Sequence, residues 1–155
     1  MPTLTELLDE LVSRHHPEPP ATLAQIEEAE AKLGWPLGAE LRSFYLRCNG
    51  ACLFGRFPDY RFRILPLAEI KRARVAVFGD DSDEWGPASW YVVCEVGDAD
   101  YVAIDTSTLN GQYPVYDCWH EAFPNPKECR KIARSFTEFL EQALRSGGNL
   151  FWLKV

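Results

Sequence analysis

Between Val75 and Pro126 the sequence has no lysine and no arginine. The same stretch carries ten acids: Asp80, Asp81, Asp83, Glu84, Glu95, Asp98, Asp100, Asp105, Asp117 and Glu121. That segment alone is −10, against −7 for the whole 155-residue chain. Just upstream, Arg56–Arg74 holds six basic residues and two acids. An acidic surface repels phosphate backbones and attracts basic partners, so the charge map argues against nucleic acid and for a basic protein. A solvated, solubilising face is the plainer reading of the same run.

Other absences narrow the function further. No apolar run approaches the ~18 residues of a membrane span, so no membrane association is expected. The N-terminus MPTLTELLDELVSRHH has acids within its apolar pattern and no basic leader, which argues against a signal peptide. Five cysteines, an odd number with no C-x-x-C pair, read as the reduced thiols of a cytoplasmic protein rather than a disulfide frame or zinc site. Cys48 falls on an apolar helix face and Cys94 in an apolar strand, where cysteine is a small buried hydrophobe. Cys118 and His120, two apart on one predicted strand, lack the opposed geometry of a thiolate–imidazole pair. There is no glycine-rich phosphate loop and no G-x-S-x-G. The expectation is a protein without catalytic residues, metal or cofactor.

Hydrophobic residues make up 46% of the chain and charged residues 25%, the balance of a globular protein, and the length suits one domain. Leu4, Leu7, Leu8, Leu11 and Val12 recur at helical spacing, and HHPEPP ends that helix. Thr22-x-x-Gln25 predicts a capping box for a second helix, stopped by Gly34 and Pro36. A third runs from about Gly38 to Cys48, with Asn49-Gly50 expected to end it in the left-handed region. Strands are predicted over Tyr60–Leu65, Tyr91–Val96, Tyr101–Thr106 and Val115–Trp119, with a short helix starting near Leu67. The last helix, Ser135–Arg145, has Phe136, Phe139, Leu140, Ala143 and Leu144 as its apolar stripe, a second capping box at Ser135-x-x-Glu138, and Gly147-Gly148 as its stop. The tail NLFWLKV is expected to pack back on the domain. Helices first, strands in the middle and a helix last make the fold α+β.

Two acidic stretches invite chemistry. In GDADYVAIDT (97–106), Gly97 to Asp100 read as a hairpin loop. Tyr101, Ala103 and Asp105 then share one strand face and Val102 and Ile104 the other, so the carboxylates do not converge as a metal or acid–base site requires. In GDDSDEWG (79–86) the calcium-loop pattern fails, because Trp85 and Val92 stand where oxygen ligands are needed. What remains is an acidic loop bearing a tryptophan.

Three stretches in order, ATLAQIEEAEAKLGWPLGAELRSFYLRCNGACLF (21–54), VGDADYVAIDT (96–106) and IARSFTEFLEQAL (132–144), resemble the SUKH superfamily, the Smi-and-Knr-type domain. Gly38, Ala51 and Ala99 depart from its usual residues at loop and helix-start positions. The resemblance implies an α+β domain with helices packed on a mainly antiparallel sheet. The family-like core spans about 21–153, and the helix at 3–14 extends a single domain over 1–155. It implies a non-catalytic binding protein: bacterial members are similar to immunity proteins that bind and silence toxins, many of them nucleases, and fungal members to intracellular regulators of cell-wall synthesis. No catalytic residue travels with the motifs. The charge map then places the candidate partner contacts at Asp80, Asp81, Asp83, Glu84 and Trp85, with Asp98 and Asp100 behind them. Trp85 reads either as an interface anchor or as a loop residue folded onto the core.

Overall fold

The structure is a computed structural model, and it describes residues 2–96, 100–108, 112–119 and 121–153. The described residues form five α-helices and an eight-stranded antiparallel sheet. The helices are α1 (Leu4–Arg14), α2 (Leu23–Leu33), α3 (Gly38–Arg47), α4 (Ala73–Phe78) and α5 (Phe136–Arg145). The strands are β1 (His16–Pro17), β2 (Ala51–Leu53), β3 (Phe62–Ile64), β4 (Lys71–Arg72), β5 (Trp90–Val96), β6 (Asp100–Asp105), β7 (Val115–Cys118) and β8 (Lys131–Ala133). Their order is β1-β2-β3-β5-β6-β7-β8, with β4 also on β5. The strand β3 pairs with the far end of β5 (Phe62↔Val96) and β4 with its start (Arg72↔Tyr91), so the two lie in line along one edge of β5. A bulge between Val92 and Cys94 marks the change of register against β6.

Local chemistry sets the helices. Thr3 and Thr22 each close a full capping box, with Glu6 and Gln25 respectively. At α5 the expected box is half made. Ser135 Oγ accepts from the Glu138 N–H at 3.2 Å, but the Glu138 carboxylate accepts instead from the backbone N–H and guanidinium of Arg134. A cation one residue before the cap competes better for the carboxylate than a backbone amide does. The N-terminus of α5 is further satisfied from α3: the Thr137 N–H donates to Glu40 Oε1 at 3.1 Å. The α2–α3 turn is held by Glu30, whose carboxylate accepts from Leu37 N–H (2.8 Å) and Arg42 Nη2 (2.6 Å). The Arg42 hydrogen bond depresses its pKa.

One expectation about α3 is corrected. Cys48 is already extended, and Asn49 is not left-handed. Its Oδ1 instead accepts from the Leu67 N–H at 2.9 Å, tying the end of α3 to the 3₁₀ turn Leu67–Glu69. Gly50 alone takes positive φ (+96°), and a Cβ there would lie 2.8 Å from Ile64 O. Val12 is also displaced from its expected role. It is 39% exposed, on the rim of α1, while Leu7, Leu8 and Leu11 enter the core.

The sheet is buried on both faces. On one side α1, α2, α3 and α5 contribute to the main core with Val93, Val96, Val102, Ile104 and Val115. The apolar stripe of α5 is entirely buried, and Trp152 of the tail closes the same core. On the other side a smaller core gathers Leu65, Ala73, Trp90, Val92, Ala103, Cys118, Phe123 and Cys129. Among the described residues that face is covered by α4 and the turns at 121–129. Asp100 belongs to β6, opposite Val96, and not to the hairpin loop as expected. Asp98 lies outside the described residues.

Candidate protein-interaction site

The acidic loop Asp80–Trp85 is anchored at both ends. Gly79 (φ +73°) ends α4, its N–H donating to Val75 O at 2.8 Å, which turns the chain outward. Ser82 then caps a 3₁₀ turn, Asp83–Trp85, by accepting from the Glu84 N–H at 3.2 Å. Gly86, at φ +101° and ψ 179°, leads the chain back to β5 in a region open essentially to glycine alone.

Two arginines from the start of α4 reach into this loop. Arg72 Nη1 meets Asp81 Oδ2 at 2.8 Å, and its Nε donates to Ala88 O at 3.2 Å. Arg74, only 2% exposed, stands 3.1 Å from Asp81 through Nε and 2.7 Å from Asp83 through Nη1. Asp81 and Asp83 are therefore matched internally. Asp80 and Glu84 are exposed and, among the described residues, carry no ion pair. Of the four carboxylates in the loop, those two project uncompensated charge.

Trp85 is half-buried, and it neither stands free nor sinks into the core. Its ring stacks on Phe78 (4.7 Å, 25°), Phe78 on Phe123 (5.9 Å, 23°), and Trp90 on Tyr116 (4.6 Å, 25°). Phe123 and Trp90, 6.0 Å apart, link the two halves. Five rings thus run from the loop down to the sheet, and each offset contact adds to the apolar burial. The ladder fixes the position of Trp85 while leaving it part of the surface. Of the two sequence readings, the structure describes the packing: the loop residue is folded against the ladder and stays partly exposed.

Elsewhere several acids of the lysine-free segment are also engaged. Glu95 accepts from Tyr60 Oη at 2.7 Å and pairs with Arg63 at 3.4 Å. Asp105 Oδ1 accepts from the Ser107 N–H (2.9 Å) and Ser89 Oγ (3.2 Å), bracing the turn after β6. Burial pushes the Asp117 carboxyl above its usual range, opposed by a hydrogen bond from Trp152 and reinforced by repulsion from Asp100. The strand β5 separates Asp100 from the acidic loop, because Asp100 pairs with its last residue and the loop precedes its first. Asp100 is therefore not brought together with Asp80–Trp85. Asp100 and Asp105, an odd number of residues apart on one strand, also face opposite sides of the sheet.

Among the described residues no three His, Cys, Asp or Glu side chains gather as a metal would need. All five thiols are free and buried. Burial raises their pKa, to about 12 for Cys48 and about 11 for Cys129. A concavity between Glu18–Pro20 and Arg63–Glu69 has Cys52 on its wall. Its charged centre is internally paired, with Arg63 held by Glu69 at 2.9 and 2.7 Å. Among the described residues no helix is long and apolar enough to cross a membrane.

Against known proteins, the model of the SMI1 / KNR4 family (SUKH-1) matches residues 20–142. The chain is also 31% identical over 121 residues to the immunity protein YokJ of Bacillus subtilis (strain 168), covering 76% of this chain and 71% of that protein. The matched span runs from just before α2 into α5 and contains the acidic loop, its arginines and the aromatic ladder. On these grounds the chain belongs to the SMI1 / KNR4 (SUKH-1) family.

Proposed function

We propose that this protein is an immunity protein that neutralises a toxin by binding it, with no turnover of its own. The similarity to an immunity protein over three quarters of the chain carries this reading. The toxin domain it fits is basic, as a nuclease is where it meets phosphate, and the contact surface is the loop Asp80–Trp85. Within that loop Asp80 and Glu84 supply the free charge, Trp85 the apolar anchor, and Asp81 and Asp83 the bonds to Arg72 and Arg74 that hold the shape. Asp100, at the other end of β5, forms no part of the primary contact in this reading.

The test is kinetic. The neighbouring genes are searched for a toxin, its domain is purified, and association and dissociation are measured at low and high salt. Rim acids raise the association rate, a gain screened over a Debye length of about 8–10 Å. Asp80→Asn/Glu84→Gln therefore slows association at low salt and leaves high-salt binding unchanged. Trp85→Ala speeds dissociation, as expected of an anchor. Unchanged kinetics in both variants would move the interface elsewhere. Absence of any complex would reject the immunity reading itself.

A further inference from the structure

Phe57 is 68% exposed, the most exposed of the large apolar side chains described. It lies in the loop between β2 and β3, and that loop is tightly built. The Phe54 N–H donates to His15 Nδ1 at 3.1 Å, and the Arg61 N–H to Leu53 O at 3.0 Å. Gly55 (φ +135°) lets the backbone fold so closely that a Cβ there would lie 2.5 Å from Asp59 O. Tyr60 stacks on the Phe57 ring (6.0 Å, 26°), and the Arg63 guanidinium lies 5.6 Å from its centroid. The ring is thus held from within and displayed outward. A fixed aromatic side chain loses little freedom on binding, which is what interface anchors need. Beside it Arg56 and Arg61 are exposed and, among the described residues, carry no ion pair; against Asp59 they leave the loop positive.

The complement lies on the same chain but at the other end of the sheet. The exposed acids Asp80 and Glu84 border Phe78, 37% exposed, and the half-buried Trp85 at the outer end of the ladder. Phe62 pairs with Val96, so the Phe57 loop sits at the end of β5, whereas the acidic loop precedes its first residue, Trp90. Seven strand residues separate them, about 20 Å. That is beyond the Debye length of about 8–10 Å at physiological salt, and far beyond the reach of a direct ion pair at any salt, so neither patch pairs with the other within one molecule.

We propose that the two ends meet between molecules. The Phe57 loop of one copy docks on the acidic loop of a second, its ring against the outer end of the Trp85–Phe78 stack and Arg56 and Arg61 towards Asp80 and Glu84. The contact joins two different surfaces and is heterologous. It uses the loop assigned above to the toxin, so toxin binding and self-association compete. The inference itself rests on this protein alone, and it can fail while toxin binding holds.

Sedimentation velocity of the full chain over a range of concentrations tests it. At about 20 mM salt the mean mass rises with concentration, and at about 500 mM it returns to that of one chain. Arg56→Gln/Phe57→Ala and Asp80→Asn/Glu84→Gln each abolish the association while keeping the wild-type melting curve. Mixed together, the two variants associate again, because each retains the end the other lacks. A wild type that remains a single chain at every concentration overturns the proposal. So does association that survives in either variant, or a mixture that shows none.

Discussion

Arg74 and Asp83 form an ion pair that crosses the protein surface: their 2.7 Å contact joins a guanidinium 2% exposed to a carboxylate 98% exposed. A buried cation has few ways of being satisfied, and this one uses the acidic loop. Among the described residues its Nε, 3.1 Å from Asp81, has no well-aligned hydrogen bond, so the loop's carboxylates carry the compensation. The acids therefore act on the fold as well as on the surface.

Neutralising Asp83 alone is expected to cost less than about 1 kcal/mol, because the carboxylate is solvent-screened and Asp81 remains. Asp81→Asn/Asp83→Asn together are expected to cost about 1–3 kcal/mol, since the buried guanidinium then loses both counter-ions. Urea denaturation of the two variants separates the cases. Equal small losses would show that water reaches Arg74 freely.

Two glycines bracket the loop and differ in surroundings. At Gly79 (φ +73°) a Cβ meets open space, so Gly79→Ala should cost only the left-handed strain of about 1–2 kcal/mol. At Gly86 a Cβ would stand 2.6 Å from the Phe123 ring. Gly86→Ala adds that clash to backbone strain of about 1–3 kcal/mol and should also loosen the ring ladder. Thermal melts give the order of the two losses. Near-ultraviolet circular dichroism, which reads the aromatic environment, should change only for Gly86→Ala.

Phe139 is fully buried between Phe62, Phe136 and Phe151. Phe139→Ala should cost about 3–5 kcal/mol in chemical denaturation. A loss below about 1 kcal/mol would mean that the core does not depend on this face of α5.

His15 links pH to stability. Its Nδ1 accepts from the Phe54 N–H at 3.1 Å, a role open only to the unprotonated nitrogen. Burial lowers its pKa below 6.5, reinforced by His16 and Arg14 and opposed by Glu10. The unfolded chain then takes up the proton first. The stabilisation is fully present above about pH 6.5, declines as pH falls through that value, and levels off below the folded pKa. His15→Gln should flatten this part of the stability–pH curve. An unchanged slope would assign it to another group.

The five thiols offer a test of the expectation that the fold needs no metal. With burial raising every thiol pKa, a thiol reagent should label the native protein only as fast as the fold opens, and a chelator should leave the melting midpoint unchanged. Rapid labelling of one cysteine, or a midpoint restored by zinc, would contradict both expectations.

The parts of this fold that local forces decide were legible in the order of residues along the chain. The helices α1, α2 and α5 follow from apolar spacing and from capping threonines and a serine within three residues of their targets. The long strands β5 and β6 follow from runs of β-branched and aromatic residues. The unreadable elements were β1, β2, β4, β8 and α4, of two to six residues each. Too short to hold themselves, they exist because a neighbouring strand or the second core supplies their bonds and burial. The candidate site divides the same way. The block of acids and its tryptophan were plain in the sequence. That Arg72 and Arg74 neutralise two of the acids, that Asp100 stands at the other end of β5, and that five rings from 78 to 123 form one ladder were not. Charge along a chain is additive, but electrostatic and packing energies depend on separation in space, and only the tertiary fold sets that separation.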